Sequence, residues 1–363
     1  MKITFVLPTV SMSGGIRVVA IYAQWLVSQG HQVFLISQPP AAPSFKQKVK
    51  RVLQGQGLPP APQRPVSHLD SLDLPHVMLP VQRPVLDSDV PDADLIIATW
   101  WETAEWVAAL SPAKGTKIYF VQGYEVFSWL PQERCHGSYR LPLHKIVVAR
   151  WLQDVMAREY GDTDVDIVTN GVDQQQFFAP PRGKQARPTV GLLYARAEVK
   201  GLDIALAAVA RLRERFPDLR VISFGMEQAP AELGLDFVRN PAQDSLRDLY
   251  ASCDVWLTAS RSEGFNLPAM EAMACRTPVI STRTGWPEEA IADGVNGYLV
   301  NINDSAALAQ TAEQVLSLSD TDWRAMSAAA YATVQDKDWL SCAQQFEQVL
   351  LRRRQQALTA AQG

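Results

Sequence analysis

The chain has 363 residues, with 34 basic against 38 acidic side chains, 47% apolar and 20% charged residues. At ~100–200 residues per domain, that length makes about two domains, and the balance excludes a disordered, collagenous or coiled-coil chain. Residues 1–180 hold 15 basic and 16 acidic groups and residues 181–363 hold 19 and 22. Neither half is a basic module, which argues against nucleic-acid binding through bulk charge.

Lys2–Leu7 is an apolar run rich in β-formers and reads as a first strand. The opening has one lysine, and Pro8 breaks the run, so it is not a signal peptide. Ile16, Val19, Ala20, Ala23, Leu26 and Val27 then recur at helical spacing up to Gly30. Further short strands follow at Gln32–Ile36, Asp94–Thr99, Lys117–Val121, Lys145–Val148 and Asp166–Thr169. Short apolar strands separated by helices predict a parallel sheet covered on both faces.

Residues 39–91 break this rhythm, holding 11 of the 24 prolines, and are expected to be irregular. Inside them Lys46, Lys48, Lys50 and Arg51 make a basic stretch. It reads either as a solvated charge run or as a membrane-surface or acceptor contact. The Pro- and Gly-containing stretch 179–188 reads as the interdomain linker. After it come Thr189–Tyr194 (strand), Leu202–Arg215 (helix), Leu219–Phe224 (strand) and Ser245–Ala251 (helix). Asp254–Thr258 (strand), Leu267–Cys275 (helix), Pro278–Ser281 (strand) and a long helix over Trp339–Ala357 complete the series. Two doubly wound α/β domains in series result, whose ligands bind beyond the carboxyl ends of the strands.

The four cysteines, Cys135, Cys253, Cys275 and Cys342, form no CxxC pair and read as reduced thiols. The histidines, His31, His68, His76, His136 and His144, show no metal-ligand spacing, so no metal is assigned. No apolar run approaches the ~20 residues that span a bilayer. A cytoplasmic chain, with peripheral contact at the inner membrane face through residues 46–51 as the alternative, is expected.

Most chemistry sits in Ser260–Val279, SRSEGFNLPAMEAMACRTPV. A polar loop with Glu263 leads into a helix that starts near Leu267 and Pro268. The N–H groups of Gly264, Phe265, Asn266 and Leu267 then lie at a helix N-terminus and suit an anion or a hydroxyl-rich group. Glu263 and Glu271, eight residues apart, can each hold two vicinal hydroxyls, one on a sugar and one on a ribose. The plainer alternative is a solvated loop glutamate and a helix-end cap.

This segment resembles the E-x7-E signature of the retaining glycosyltransferases of family 4, which have the GT-B fold. Asn266 stands where the family has a second glycine, and Arg276 stands where it has a glycine before Thr277 and Pro278. Thr169–Asp173 with Phe177, the loop Tyr194–Gly201, Thr284–Glu289 and Asp293–Tyr298 are similar to further family elements. The resemblance implies two Rossmann-like domains facing a central cleft. These are residues 1–180 for the acceptor, residues 181–338 for the nucleotide-sugar donor, and a helix at 339–363 packing back on the first domain. It implies Glu263, Lys200 and Arg196 as the catalytic group. Glu271, Gly264, Phe265, Asn266, Leu267, Gly14 and Gly15 are implied to bind the donor. Trp100–Ala104 and Tyr119–Glu125 look like elements of members that build bacterial surface polysaccharides, which puts Trp101, Glu102, Gln122 and Glu125 at the acceptor. Where many members have a histidine near position 122 this chain has Gln122.

The expected activity is therefore metal-independent, retaining transfer of a sugar from a nucleoside diphosphate to a hydroxyl of a glycan or lipid-linked acceptor. No cofactor is expected beyond that co-substrate. The competing readings are a nucleotide-sugar epimerase on the same fold and a non-catalytic nucleotide-sugar or glycan-binding subunit. A dehydrogenase is disfavoured because no strand is followed by GxGxxG.

Overall fold

The structure is a computed structural model that describes residues 1–41, Leu53 and 64–360. The basic stretch 46–51 lies outside the described residues. The chain divides into two compact units. The first comprises Met1–Val147, Val155–Val168 and Ala343–Gly363; the second comprises Val148–Asp154 and Thr169–Cys342.

Among the described residues, the first unit holds a seven-stranded sheet of β1 (Lys2–Leu7), β2 (Gln32–Ser37), β3 (His76–Met78), β4 (Leu95–Ala98), β5 (Thr116–Val121), β6 (His144–Val147) and β7 (Val165–Ile167). The order is β3-β2-β1-β4-β5-β6-β7 and every pairing is parallel. β4 is buried along its whole length, because helices cover both faces of a doubly wound sheet. β3 lies inside the proline-rich stretch expected to be irregular. Three residues between Pro75 and Pro80 suffice for an edge strand. Leu35 N–H donates to Pro75 O and Leu79 N–H to Ser37 O, and an edge position needs only one partner.

The helix Trp339–Ala360 contributes its part from Ala343 onward to this unit. Phe346 is buried and stacks on Tyr22 with ring centroids 4.5 Å apart. Glu347 accepts hydrogen bonds from Trp25 Nε1 at 3.0 Å and pairs with His31 Nε2 at 2.8 Å. Arg353 pairs with Asp164 and Asp166, and Arg354 with Asp94.

The second unit holds β8 (Thr189–Leu193), β9 (Arg220–Gly225), β10 (Asp236–Arg239), β11 (Val255–Thr258), β12 (Val279–Thr282) and β13 (Gly297–Val300). Their order is β10-β9-β8-β11-β12-β13, again all parallel. Its core joins Val190 and Leu192 to Ala205, Val209 and Leu212 on the helix Leu202–Arg215, and to Leu308, Ala312 and Val315 on Ser305–Ser317. Small alanines at these positions let the helices approach the sheet.

Residues 179–188 differ from the expected linker. Arg182 is held over the Trp323 ring at 4.5 Å and bonded to Cys253 O, and Lys184 Nζ reaches the carbonyls of Leu316 and Leu318. The stretch is built into the second unit, within its segment Thr169–Cys342. Polar, proline-containing sequence marks the absence of regular structure, not the absence of tertiary contacts. The four cysteines are buried free thiols. Among the described residues no helix is long and apolar enough to cross a membrane.

Candidate active site

In each unit the sheet order reverses at one pair of strands, β1 and β4 in the first and β8 and β11 in the second. At such a point the loops leaving the carboxyl ends diverge and open a crevice.

In the second unit, the loop after β8 runs through a short turn, Glu198–Lys200, to Gly201. The loop after β11 carries Ser260 and Glu263. Arg261 N–H donates to Val199 O at 2.7 Å, tying the loops together. Gly201 has φ +59°, and a Cβ there would stand 2.0 Å from Ala259 O, so only glycine permits this approach. Lys200 Nζ then donates to both oxygens of Glu263, at 2.7 and 2.9 Å. Ser260 Oγ donates to Glu263 Oε1 at 2.6 Å. The Glu263 carboxylate is mostly buried and Lys200 about one-third exposed, so the charges are partly screened by solvent.

Asn266 precedes the helix Leu267–Ala274 with φ +80°, a conformation that asparagine adopts more readily than most residues. Its Nδ2 donates to Thr258 Oγ1 at 2.8 Å, anchoring the turn to the end of β11. Phe265 stacks on Trp286, and Trp286 N–H donates to Phe265 O at 2.9 Å. Gly285 has φ +67°, and a Cβ there would meet Glu263 Cβ and Phe265 O at 2.9 Å. Trp151 Nε1 donates to Gly264 O at 3.0 Å, and the Trp151 N–H to Glu289 Oε1 at 2.7 Å. Burial raises the Glu289 carboxyl above its usual range. Glu271, on the helix, is buried and accepts from the Tyr250 hydroxyl at 2.9 Å.

That helix ends in a Schellman turn, with Thr277 N–H donating to Ala272 O and Arg276 N–H to Met273 O. Arg276 occupies the left-handed position, φ +59°. A left-handed C-terminal position that usually takes glycine is therefore held by an arginine. Its Nε bonds to Ala179 O at 3.0 Å and its guanidinium lies 4.2 Å from the Tyr331 ring.

Arg196 is not brought to Lys200. Its Nε pairs with Glu227 at 3.2 Å and with the Tyr194 hydroxyl at 3.2 Å, on an exposed face. It leaves the strand three residues after Leu193, before the chain turns back at Glu198–Lys200.

In the first unit a pocket of ≈ 710 Å³ opens at the β1/β4 switch point. Gly15, Glu102, Gln122 and Glu125 line it. Gly15 heads the helix Gly14–Ser28, and a Cβ on it would lie 3.4 Å from the Gln122 amide. Gln122 Oε1 is buried with no hydrogen-bond partner among the described residues. Glu125 is buried, accepting from the Trp101 N–H at 2.7 Å and the Tyr119 hydroxyl at 2.9 Å. Burial pushes its carboxyl up to about 8. Burial also raises Glu102. Trp101, assigned to the acceptor by sequence, is buried beneath Arg134 instead, and Trp100, Trp106 and Phe127 present aromatic surface to the pocket. Trp100 caps the helix Trp101–Ala109 in an extended conformation, which turns it outward as Trp101 turns in.

Ser260, Tyr250, Trp151 and Arg134 touch or line the candidate site and were assigned no role from sequence. Ser260 opens the segment singled out from sequence; Tyr250, 21 positions before Glu271, gives no local signal. Among the described residues no group of three or more His, Cys, Asp or Glu is placed to hold a metal ion.

Two parallel doubly wound units of this kind are the fold of the GT-B glycosyltransferases. Residues 188–318, within the second unit, match the family described as Glycosyl transferases group 1, in agreement with the family 4 likeness of the Glu263–Glu271 segment. Among curated relatives, a D-inositol 3-phosphate glycosyltransferase of Corynebacterium urealyticum is 32% identical over 197 residues, 46% of this chain and 46% of that one. One of Kribbella flavida is 36% identical over 165 residues, 38% of this chain and 39% of that one. The matches thus span less than half the length of these relatives. Anabaena HepE, solved in complex with UDP, superposes with a TM-score of 0.72 at 19% identity, over 97% of this chain and 100% of that one. Sucrose-phosphate synthase of Thermosynechococcus elongatus gives 0.69 at 18% identity, over 99% of each.

Proposed function

We propose that the chain is a retaining glycosyltransferase, moving a sugar from a nucleoside-diphosphate donor to a hydroxyl of a glycan or lipid-linked acceptor. The observation that carries this reading is the Lys200–Glu263 pair at the β8/β11 switch point, with Glu271 on the helix that follows. A cation, a carboxylate and a second carboxylate behind a glycine-containing helix start make a site for a diphosphate flanked by two polyols.

In this reading Glu271 holds the ribose, and Glu263 orients hydroxyls of the transferred sugar. The N–H groups from Gly264 to Leu267 and the Lys200 ammonium face the diphosphate. Arg196 joins them by leaving Glu227, an exposed partner whose loss costs little. The sugar C1–oxygen bond breaks and its electron pair goes to the diphosphate. The acceptor oxygen bonds to C1 on the same face, and its proton passes to the departing phosphate oxygen. Lys200 and the helix N-terminus stabilise the charge that develops there. The reaction so described uses no metal and no further cofactor.

The first-unit pocket, with its rings beside Glu102, Gln122 and Glu125, is read as the acceptor site, including the role in surface-glycan assembly that the Trp100–Ala104 and Tyr119–Glu125 likeness suggests. The sequence at residues 46–51 supplies a basic stretch for anionic lipid at the cytoplasmic membrane face.

The test is incubation of the full chain with UDP-, GDP-, ADP- and dTDP-sugars, in EDTA, with pooled glycan and lipid-linked acceptors. Release of one nucleoside diphosphate with formation of a product that keeps the donor's anomeric configuration supports the reading. Inversion, or no turnover with any donor, overturns it.

A further inference from the structure

The first-unit pocket carries two arginines in its described lining, Arg83 and Arg134. Neither presents an unbalanced charge. Arg83 meets Asp89 through two bonds, at 2.6 and 2.7 Å. Arg134 meets Glu105 through two bonds, at 3.1 and 2.5 Å. Paired guanidinium–carboxylate forks of this kind hold the geometry and cancel the charge that a phosphate ester needs. Asp89 is fixed as well by the Leu86 N–H at 2.8 Å. The remaining ionisable lining is Glu102 and Glu125, both carboxyls, alongside the amides of Gln38, Gln82 and Gln122 and three aromatic rings. Among these residues an anionic ligand would find no cation without a carboxylate partner of its own. A polyol would find acceptors and amides for its hydroxyls and rings for its C–H faces.

We infer that this pocket takes an uncharged sugar or polyol and rejects phosphate-bearing ones, and that Asp89 and Glu105 set this specificity by keeping Arg83 and Arg134 occupied. The inference rests on reading the pocket as the acceptor site. At neutral pH burial keeps Glu125 protonated, pushed up to about 8, so it also offers a donor to a hydroxyl oxygen. Removing the Glu105 charge while keeping its shape frees the Arg134 fork at the pocket rim, where Glu102 is its remaining carboxyl neighbour.

The test is ligand-observed NMR titration of the full chain with methyl α-glucoside, methyl α-mannoside and their 6-phosphates. Native chain, E105Q and D89N are compared, and UDP, GDP, ADP and dTDP are titrated into the same samples. The native chain is expected to bind a neutral glycoside at least tenfold more tightly than its phosphate ester. E105Q, and D89N independently, should narrow that ratio about tenfold, the worth of one charge-assisted contact. A native chain that prefers the phosphate esters, one that binds no neutral glycoside, or variants with an unchanged ratio overturn the inference. Should nucleotide binding persist in those cases, this inference falls alone. Loss of all nucleotide binding would remove the transferase reading instead.

Discussion

Both carboxylate oxygens of Glu263 accept hydrogen bonds from the Lys200 ammonium, at 2.7 and 2.9 Å. The two residues leave different strands and meet only because Gly201 and the Val199 carbonyl lock their loops together. With Lys200 partly exposed, the pair adds little to stability. K200A is therefore expected to leave Tm nearly unchanged while lowering kcat/KM for the donor by ~10²–10³, the usual cost of losing one charge-stabilising donor. Steady-state kinetics beside a melting curve checks this; full activity in K200A contradicts it.

Tyr250 donates to the buried Glu271 carboxylate. Y250F leaves that carboxylate short of a donor. Stability should fall by about 1–2 kcal/mol, and nucleotide affinity should fall severalfold through misplacement of Glu271. Chemical denaturation and calorimetric titration with the donor nucleotide read the two effects separately.

Arg276 sits in the left-handed region that ordinarily favours glycine, with its side chain bonded to Ala179 O and laid on Tyr331. Backbone strain and side-chain contacts thus oppose each other. R276A keeps the strain and loses the contacts; R276G loses both. R276G should be more stable than R276A by about 1 kcal/mol. Equal midpoints in urea would contradict this.

Glu125 titrates near 8 in the folded chain because burial penalises its charge. In the unfolded chain it titrates near ~4.3. Between these values the folded state binds the extra proton, so stability is greatest at the acid end of that range and declines as pH rises through 8. E125Q removes the titration and keeps an acceptor for the Trp101 N–H and the Tyr119 hydroxyl. Its Tm should exceed that of the native chain at pH 8.5 by ~3 °C or more, with the gap closing toward pH 5. A gap independent of pH would contradict this.

Much of the fold was legible because both sheets are parallel and buried. Strands such as Leu95–Ala98 and Val255–Thr258 are short apolar runs with nothing to imitate them. The exceptions are edge strands. His76–Met78 and Asp236–Arg239 bury little and so carry a weak apolar signature, and Gly297–Val300 is only four residues long. At the site, Glu263, Lys200, Asn266 and Glu271 share two loops and one helix, and motif spacing reaches that far. It does not reach partners supplied by other elements, as Tyr250 and Ser260 are. Nor does it decide between Trp100 and Trp101, where one residue of register at a helix start sends one ring outward and the other inward.

The central claim is that the Lys200–Glu263–Glu271 site binds a nucleoside-diphosphate sugar. The most direct measurement is calorimetric titration of the native chain and E271A with UDP, GDP, ADP and dTDP in EDTA. Saturable binding of one nucleotide to the native chain and at least tenfold weaker binding to E271A are expected. No binding by the native chain, or equal binding by both, would contradict it.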